Sequence, residues 1–209
     1  DVADMTDLDG AFATLAARWP TIDFLVHAIG FSDKNELRGK FVDTSLDNFL
    51  LTMNISVYSF VAVAQRARAM MERGGAMLTL TYYGAEKVIP HYNVMGVAKA
   101  ALETSVKYLA AVLGPEGIRV NAISAGPIRT MAAKGIPGFS VLADAWSKRA
   151  PLGWDVGDPT VVARVALWLF SDWSRGVCGE LIHVDGGFHA MGTDLLSKEE
   201  QARLAAEDG

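Results

Sequence analysis

Cysteine and histidine are both scarce in this sequence, which argues against disulfides and against a metal site. Cys178 is the single cysteine among 209 residues, so no internal disulfide can form. A chain without disulfides is typical of the reducing cytoplasm, and we expect a cytoplasmic protein. The four histidines lie far apart along the chain, and none stands at the spacing of a metal-binding motif. The sequence therefore predicts neither a disulfide framework nor a metal site.

Clusters of positive charge and long apolar runs are also missing. Lysine and arginine number 19 against 24 aspartates and glutamates, and the net charge is −5 without any basic run. This balance argues against nucleic acid as a partner. The longest apolar runs have the length of strands and are broken by polar residues, so we expect no membrane-spanning segment. The acidic first residues also differ from the basic start of a signal peptide.

The sequence does contain a regular alternation of strand and helix patterns. Apolar runs predict strands at 22–30, 76–81, 118–124 and 180–185. Amphipathic segments between them predict helices, and two of these begin at apparent capping boxes, one from Thr6 to Asp9 and one from Thr44 to Asp47. Four such alternations predict an α/β fold with a parallel sheet and right-handed crossovers. No repeat or linker divides residues 1–209, so we expect a single domain.

A tyrosine and a lysine on one predicted helix, at 92–114, are the first candidates for chemistry. Tyr92 and Lys99 stand seven residues apart, which is two turns or about 10.5 Å of rise, with both side chains on one face. A phenol beside an ammonium suits proton donation to a developing oxyanion, and the cation is expected to lower the pKa of the phenol. Tyr82 follows the second predicted strand, where open α/β sheets bind ligands. The alternative is a half-buried ring and a solvated charge on an amphipathic helix.

A second tyrosine and lysine form a competing pair. Tyr83 and Lys87 are only four residues apart, but Gly84 follows the tyrosine and Pro90 lies just beyond the lysine. Glycine and proline at these positions predict a loop, in which the two side chains would not share a helical face. We therefore interpret Tyr83 and Lys87 as a coincidental pair.

The ends of the four predicted strands, together with the Tyr-x6-Lys spacing, resemble the short-chain dehydrogenases/reductases. More narrowly, they resemble the bacterial NADH-dependent enoyl-acyl-carrier-protein reductases, since most relatives in the superfamily carry Tyr-x3-Lys instead. The motifs are AsnValMetGly at 93–96, ArgValAsnAlaIleSerAlaGlyProIleArgThr at 119–130 and HisValAspGlyGly at 183–187. The resemblance extends to about Gly192. It implies a Rossmann-like, doubly wound parallel sheet and a role in fatty-acid biosynthesis.

The resemblance also implies roles for individual residues. The catalytic set would be Tyr82, Tyr92 and Lys99, with Tyr92 stabilising the enolate that hydride addition leaves and Lys99 binding the nicotinamide ribose. The cofactor, NADH with NADPH not excluded, would contact Asp1, Val2, Gly30, Lys99, Ile128 and Thr130. The acyl pocket would be formed by Phe31, Met95, Pro127, Ala132, Ile136 and Phe139. The expected partners are an enoyl-acyl carrier protein as substrate and further copies of the chain in a homotetramer.

One feature of the family is missing from the sequence. The first strands and the Gly-rich turn that holds the cofactor pyrophosphate do not occur before the first predicted helix. We therefore expect an N-terminal portion of about sixty residues to precede Asp1. This departure leaves two alternatives open beside the enoyl reductase. One is a ketone or alcohol reductase of the same superfamily, and the other is an inactive fragment or structural subunit.

The segment from 130 to 149 is expected to act as a lid. Small residues and glycines within it predict hinges, and an acyl tail needs a cover that opens. Lys134, Lys148 and Arg149 flank the predicted entrance in a chain that is otherwise net negative. We expect these cations to dock the acidic acyl carrier protein.

Overall fold

A parallel sheet of four strands forms the centre of the protein. The computed structural model describes residues 1–130, 139–196, 200 and 203. The strands are β1 (Phe24–His27), β2 (Gly75–Thr81), β3 (Ile118–Ala125) and β4 (Leu181–Val184). They lie in the order β1-β2-β3-β4, and every neighbouring pair is parallel. The predicted parallel α/β fold is confirmed, although β1 and β4 are shorter than the apolar runs that predicted them.

Helices alternate with these strands. They are α1 (Met5–Arg18), α2 (Lys34–Leu37), α3 (Leu46–Met53), α4 (Ser59–Ala67), α5 (Asn93–Leu113), α6 (Phe139–Arg149) and α7 (Thr160–Phe170). The predicted capping boxes are both displaced. The Asp4 carboxylate, rather than Thr6, accepts the free backbone N–H groups at the start of α1, and the Ser45 hydroxyl does so for α3. In each case a nearby short polar side chain reaches the unpaired amides of the first turn.

The helices α3 and α4 form one continuous stretch, because a π-helical turn at Asn54–Tyr58 joins them and a 3-10 turn extends α4 to Met70. By length and composition alone, the 25 residues Leu46–Met70 would be long and apolar enough to cross a membrane. The sequence predicted a long helix from residue 44 to about residue 72, but not that it would be long and apolar enough to span a membrane. Phe60, Ala64 and Ala67 are buried within the main core, so packing inside the protein accounts for much of its apolar character.

One face of the sheet is covered by α4 and α5. Phe60 of α4 and Leu102 of α5 belong to the same buried cluster as Met77 of β2 and Val120 and Ala122 of β3. In parallel strands alternate side chains point to alternate faces, and Met77 pairs with Val120 in the strand register. This cluster is the main hydrophobic core and supports the carboxyl end of β2.

The opposite face of the sheet is covered by α7. Leu169 of α7 packs against Leu78 of β2 and Ile123 of β3. The chain therefore crosses from β3 to β4 on the face opposite to the one that α4 and α5 cover, while the strand order continues in one direction. The hand of a crossover is set by this direction and face together, so the third crossover has the opposite hand to the first two. The prediction that all crossovers are right-handed is therefore wrong. The helix α7 lies on this second face because it buries the apolar side chains of β2 and β3 that α4 and α5 do not cover.

The strand β1 lies at an edge of the sheet. Its residues Phe24 and Val26 are opposite Ala76 and Leu78 in the register and point to the α7 face. They remain 56% and 46% exposed, although the Phe24 ring stacks on Phe170 at 4.7 Å between centroids. The described part of the sheet thus presents a partly uncovered apolar edge.

Candidate active site

The candidate site lies where β2 ends and α5 begins. Tyr82 comes directly after β2, and Tyr92 is the residue immediately before the first turn of α5. Lys99, two turns further along α5, is buried. The predicted helix brings Tyr92 and Lys99 to the same side of the structure as Tyr82. All three residues therefore lie near the carboxyl end of β2, and their catalytic roles stay a prediction.

Lys99 is held by the backbone of the neighbouring strand. Its Nζ donates a hydrogen bond to the carbonyl of Leu80 at 2.8 Å. Burial lowers the pKa of Lys99 to about 8, while the negative charge of Glu103 acts in the opposite direction. A Cβ atom at Gly30 would lie 3.8 Å from both this Nζ and the Ser56 Oγ. Gly30, Ser56 and Lys99 therefore border one small space.

The two tyrosines pack edge to face at the carboxyl end of β2. The ring centroids of Tyr82 and Tyr92 are 5.1 Å apart and their planes are inclined by 70°. Burial raises the pKa of both phenols, and the charge of Glu103 raises that of Tyr92 further. The expectation that Lys99 lowers the pKa of Tyr92 is wrong, because desolvation of the ring is the larger effect. Tyr92 therefore stays protonated at neutral pH, which leaves its hydroxyl able to donate a hydrogen bond.

The backbone around Tyr92 is strained. His91 and Asn93 have φ values of 62° and 39°, in the left-handed region that ordinary residues avoid. The Asn93 side chain offsets this strain, because its Nδ2 lies within hydrogen-bond distance of three carbonyls, those of Glu36, Leu37 and Gly39. The Tyr92 backbone is thus fixed from both sides.

Two glycines make room for the Tyr92 ring, and sequence reasoning missed both. A Cβ atom at Gly84 would overlap the Tyr92 ring, and one at Gly96 would lie 2.7 Å from the Gly84 carbonyl oxygen. The loop after β2 and the first turn of α5 are therefore pressed together at these positions. Gly96 belongs to the AsnValMetGly motif, which could have marked it, but only the folded structure shows that it faces the Gly84 carbonyl.

The competing pair is confirmed as part of a loop. Tyr83 begins a 3-10 turn, Tyr83–Ala85, and Lys87 is exposed beyond it. The Tyr83 ring packs edge-on against Trp146 and Phe188 at 6.4 and 5.8 Å between centroids. Tyr83 therefore belongs to an aromatic cluster under α6 rather than to a helical pair.

The other predicted ligand-binding residues are more dispersed. Met95 and Pro127 are buried near the site, Phe139 starts α6, and Phe31 is 52% exposed. The Phe31 backbone N–H donates to Ser56 Oγ at 3.0 Å, which ties it to the space beside Lys99. Ala132 and Ile136 lie outside the described residues. The sequence motifs had not singled out Ser56.

The predicted cofactor residues fall into two groups. Ile128 and Thr130 follow β3 and so lie at the same edge of the sheet as Tyr82. Asp1 and Val2 precede α1 instead, and Val2 packs against Leu8, Ala62 and Val63.

The cations expected to dock a carrier protein are also separated. Lys148 is exposed on α6, whereas Arg149 is turned inward and donates to the Met191 carbonyl. The Arg149 guanidinium lies 4.6 Å from the centroid of the Phe188 ring. The contacts that the structure shows for Arg149 are thus within the protein, its docking role stays a prediction, and Lys134 lies outside the described residues.

The end of β4, where the HisValAspGlyGly motif lies, contributes a polar cluster whose contacts the sequence analysis did not predict. Asp185, which is nearly fully buried, accepts from the backbone N–H groups of Gly187 and His189 at 2.9 and 2.8 Å. The His189 Nδ1 lies 3.0 Å from the same carboxylate, and the His189 ring stacks on His183 at 3.8 Å. These contacts fix the turn that carries Phe188 toward α6.

Comparison with known proteins agrees with this geometry. A family model described as "Enoyl-(Acyl carrier protein) reductase" matches residues 1–189. The chain is 59% identical to enoyl-[acyl-carrier-protein] reductase [NADH] 1 of Rhizobium meliloti, over 92% of this chain and 70% of that protein.

Solved structures show the same likeness. An enoyl-acyl-carrier-protein reductase from Anaplasma phagocytophilum, in complex with NAD, is 54% identical with a TM-score of 0.89, over 94% of this chain and 74% of that one. The Bacillus cereus enoyl-acyl carrier protein reductase, with NADP+ and indole naphthyridinone, is 51% identical with a TM-score of 0.89, over 92% and 75%. The chain therefore belongs to the enoyl-acyl-carrier-protein reductase family of the short-chain dehydrogenases/reductases.

Proposed function

We propose that this protein reduces the trans-2 double bond of an enoyl thioester on acyl carrier protein, a step of fatty-acid biosynthesis, with NADH as the reductant. The observation that carries the proposal is that the buried, protonated phenol of Tyr92 and the buried ammonium of Lys99 both lie at the carboxyl end of β2, where Tyr92 packs against Tyr82 and Lys99 donates to Leu80. When bound, NADH supplies the hydride that adds to C3 of the enoyl group. Negative charge then develops on the thioester oxygen, and the Tyr92 hydroxyl donates to it.

The residues beside Lys99 fit a nicotinamide riboside. An ammonium has three N–H donors, and Lys99 directs one of them to the Leu80 carbonyl. The remaining donors suit the neighbouring hydroxyls of a ribose, and Gly30 leaves space for the sugar next to the Lys99 Nζ. In this proposal Lys99 binds and orients the cofactor, while the Tyr82 ring packs against Tyr92 and forms part of the wall of the site.

The remaining assignments are proposals of the same kind. Ile128, Thr130, Asp1 and Val2 would contact the cofactor, and Phe31, Met95, Pro127, Ala132, Ile136 and Phe139 would contact the acyl chain. NADH is preferred over NADPH, and the cytoplasm is the proposed location. Of the three proposed docking cations, exposed Lys148 is the one that the described residues support as a contact for acyl carrier protein.

We further propose that the protein is a homotetramer. Tyr58, Tyr108 and Val112 expose apolar surface on the outer side of the α4 and α5 layer. Leu167 and Trp173 do the same at α7 and just beyond it. Two separate apolar surfaces favour assembly around two different axes. The mass in solution, measured by light scattering, tests this assembly.

The proposed activity is tested by following the loss of NADH absorbance with three substrates. A crotonyl thioester should be reduced, whereas a simple ketone and a saturated thioester should not. Reduction of the ketone alone would instead support the alternative of a short-chain ketone reductase. No oxidation of NADH with any substrate would favour the inactive structural subunit.

A further inference from the structure

A column of aromatic rings connects Tyr92 to α6. Tyr92 packs against Tyr82, and Tyr82 stacks on Trp146 with centroids 5.6 Å apart and planes inclined by 30°. Trp146 in turn stacks on Phe188 at 3.6 Å and 6°, and Arg149 caps Phe188 from its other side. Trp146 is 0% exposed. A single ring therefore separates the Trp146 indole from the Tyr92 phenol.

Two polar atoms on the stacked rings have no hydrogen-bond partner among the described residues, and the Arg149 Nε beyond Phe188 is a third. The Tyr82 hydroxyl and the Trp146 Nε1 are both shielded from solvent, and neither has a hydrogen-bond partner among the described residues. A buried donor without an acceptor costs about 1–3 kcal/mol, so such groups are rare and call for an explanation. Trp154, in the same region, shows the usual outcome, because its Nε1 donates to the Pro127 carbonyl at 2.8 Å. Two unpaired donors on stacked rings next to Tyr92 point to an acceptor that a ligand brings.

The chemistry of the two rings defines that acceptor. An indole Nε1–H only donates, and the phenol of Tyr82 can donate as well. The side chains packed against the two rings are aromatic or aliphatic, among them Tyr83, Leu142 and Ile89, and the Arg149 guanidinium lies beyond Phe188. Apolar packing around the two donors disfavours a charged group between them, and burial raises the pKa of Tyr82 accordingly. A neutral acceptor such as a carbonyl oxygen fits this position.

We propose that Trp146 contacts the acyl thioester substrate and that its indole N–H donates a hydrogen bond to a carbonyl oxygen of that substrate. This inference rests on the proposed function and adds a substrate-binding residue that no sequence motif marked. An acyl thioester on a pantetheine arm offers two sources of this oxygen, the thioester carbonyl and the amide carbonyls of the arm. Because the ring pair is closed to solvent, the substrate reaches it only when α6 moves away from Tyr82.

The test replaces the indole N–H and leaves the ring shape intact. β-(3-Benzothienyl)alanine at position 146 substitutes sulfur for the N–H, and Trp146→Phe serves as a second variant that is genetically simpler. The matched control is Tyr83→Phe, which alters a ring of the same cluster that lies edge-on to Trp146. The KM and kcat for crotonyl-coenzyme A, the N-acetylcysteamine thioester and the S-ethyl thioester are measured, together with the Kd for NADH.

The benzothienyl variant should raise KM about 3- to 10-fold, the range expected for one lost hydrogen bond, with the Kd for NADH unchanged. A loss with all three substrates identifies the thioester carbonyl as the acceptor. A loss only with the two amide-containing substrates identifies the arm. Wild-type kinetics in this variant, or an equal loss in Tyr83→Phe, overturns the inference while leaving the proposed function intact. A wild-type protein that binds NADH but reduces no enoyl thioester overturns the proposed function, and the inference with it.

Discussion

At the scale of single residues, Tyr92 and Lys99 divide the proposed chemistry between them. Burial keeps the Tyr92 phenol protonated, so its hydroxyl is a donor throughout the neutral range. The Lys99 ammonium is turned toward the Leu80 carbonyl and Gly30. Loss of the phenol should therefore affect the chemical step, whereas loss of the ammonium should affect cofactor binding.

We expect Tyr92→Phe to lower kcat for crotonyl thioester by about 100-fold or more, because one preorganised donor to the developing oxyanion is lost. The Kd for NADH, measured by fluorescence titration, should change by less than about twofold. Lys99→Ala provides the comparison and should weaken NADH binding directly. Equal small losses of turnover and binding in both variants would contradict this division of roles.

Lys99 should also make NADH binding depend on pH. Its pKa in the folded protein is lowered from 10.5 to about 8, so the ammonium loses its proton as the pH rises through 8. The Kd for NADH should rise by about tenfold for each pH unit above 8, as the charged fraction falls. Lys99→Arg keeps its charge and should show a weaker but pH-independent affinity.

Glu103 offers a second variant for the same titration. Its negative charge raises the pKa of Lys99, so Glu103→Gln should move the loss of affinity to a lower pH. A wild-type affinity that stays constant between pH 7 and pH 9 would show that the Lys99 charge does not hold the cofactor.

The sequence predicted that Tyr92 and Lys99 lie at one end of the sheet, but not their electrostatics. The spacing along a helix is a local property, and both residues are found near the carboxyl end of β2. The pKa of the phenol depends instead on burial and on Glu103, which raise it above its usual value. The role proposed for Trp146 was equally hidden, because it is inferred from contacts with Tyr82 and Phe188, which are distant in sequence.

At the scale of secondary-structure elements, the contact between α5 and the loop after β2 is the most constrained. Gly96→Ala would bring a Cβ to 2.7 Å from the Gly84 carbonyl oxygen and so displace the loop that supports the Tyr92 ring. Alanine in a helix interior normally adds about 1 kcal/mol of stability over glycine. Here we expect a lower Tm in thermal unfolding and a reduced kcat instead.

Gly10→Ala is the matched control for this substitution. Gly10 lies in the interior of α1, and a Cβ atom there would meet nothing within 4 Å. The control should gain stability by up to about 1 kcal/mol, with unchanged activity. A stabilised and fully active Gly96→Ala protein would mean that the close approach of α5 to Gly84 is not needed.

The elements themselves were largely predictable, and their placement was less so. Apolar runs predicted all four strands, and amphipathic patterns predicted α5 and α7 to within a few residues. The face on which α7 lies was not predictable, because its apolar residues would fit either side of the sheet. Contacts of Leu169 with Leu78 and Ile123 decide that question in the folded protein.

At the scale of the whole molecule, a buried histidine links stability to pH. His27 is 2% exposed at the end of β1, and its ring nitrogens lie 2.9 Å from Thr79 Oγ1 and 2.8 Å from Ser59 Oγ. Burial lowers its pKa from 6.5 to about 4, and the charge of Lys99 adds to this effect. The unfolded chain therefore binds a proton between pH 6.5 and pH 4 that the folded protein does not, so stability falls as the pH falls.

Because of His27, the free energy of unfolding should be about 2 kcal/mol lower at pH 5 than at pH 7. Urea unfolding of the wild type and of His27→Gln at both pH values measures the effect. The glutamine variant should be less stable at pH 7, because it cannot make both hydrogen bonds, but its stability should fall by about 2 kcal/mol less on acidification. An identical fall in both proteins would exclude His27 as the source.

The strand order β1-β2-β3-β4 has a consequence for how the protein is made. Each of β2, β3 and β4 pairs with the strand synthesised just before it, so every strand leaving the ribosome meets a partner that has already emerged. Tyr82, Tyr92 and Lys99 emerge with β2 and α5, whereas Phe188, which covers Trp146, follows the last strand. At about 5–20 residues per second, the nascent chain carries the proposed catalytic residues for on the order of ten seconds before its aromatic column is complete. The tyrosines and the lysine of the candidate site are thus synthesised first, and the aromatic residues Trp146 and Phe188 follow.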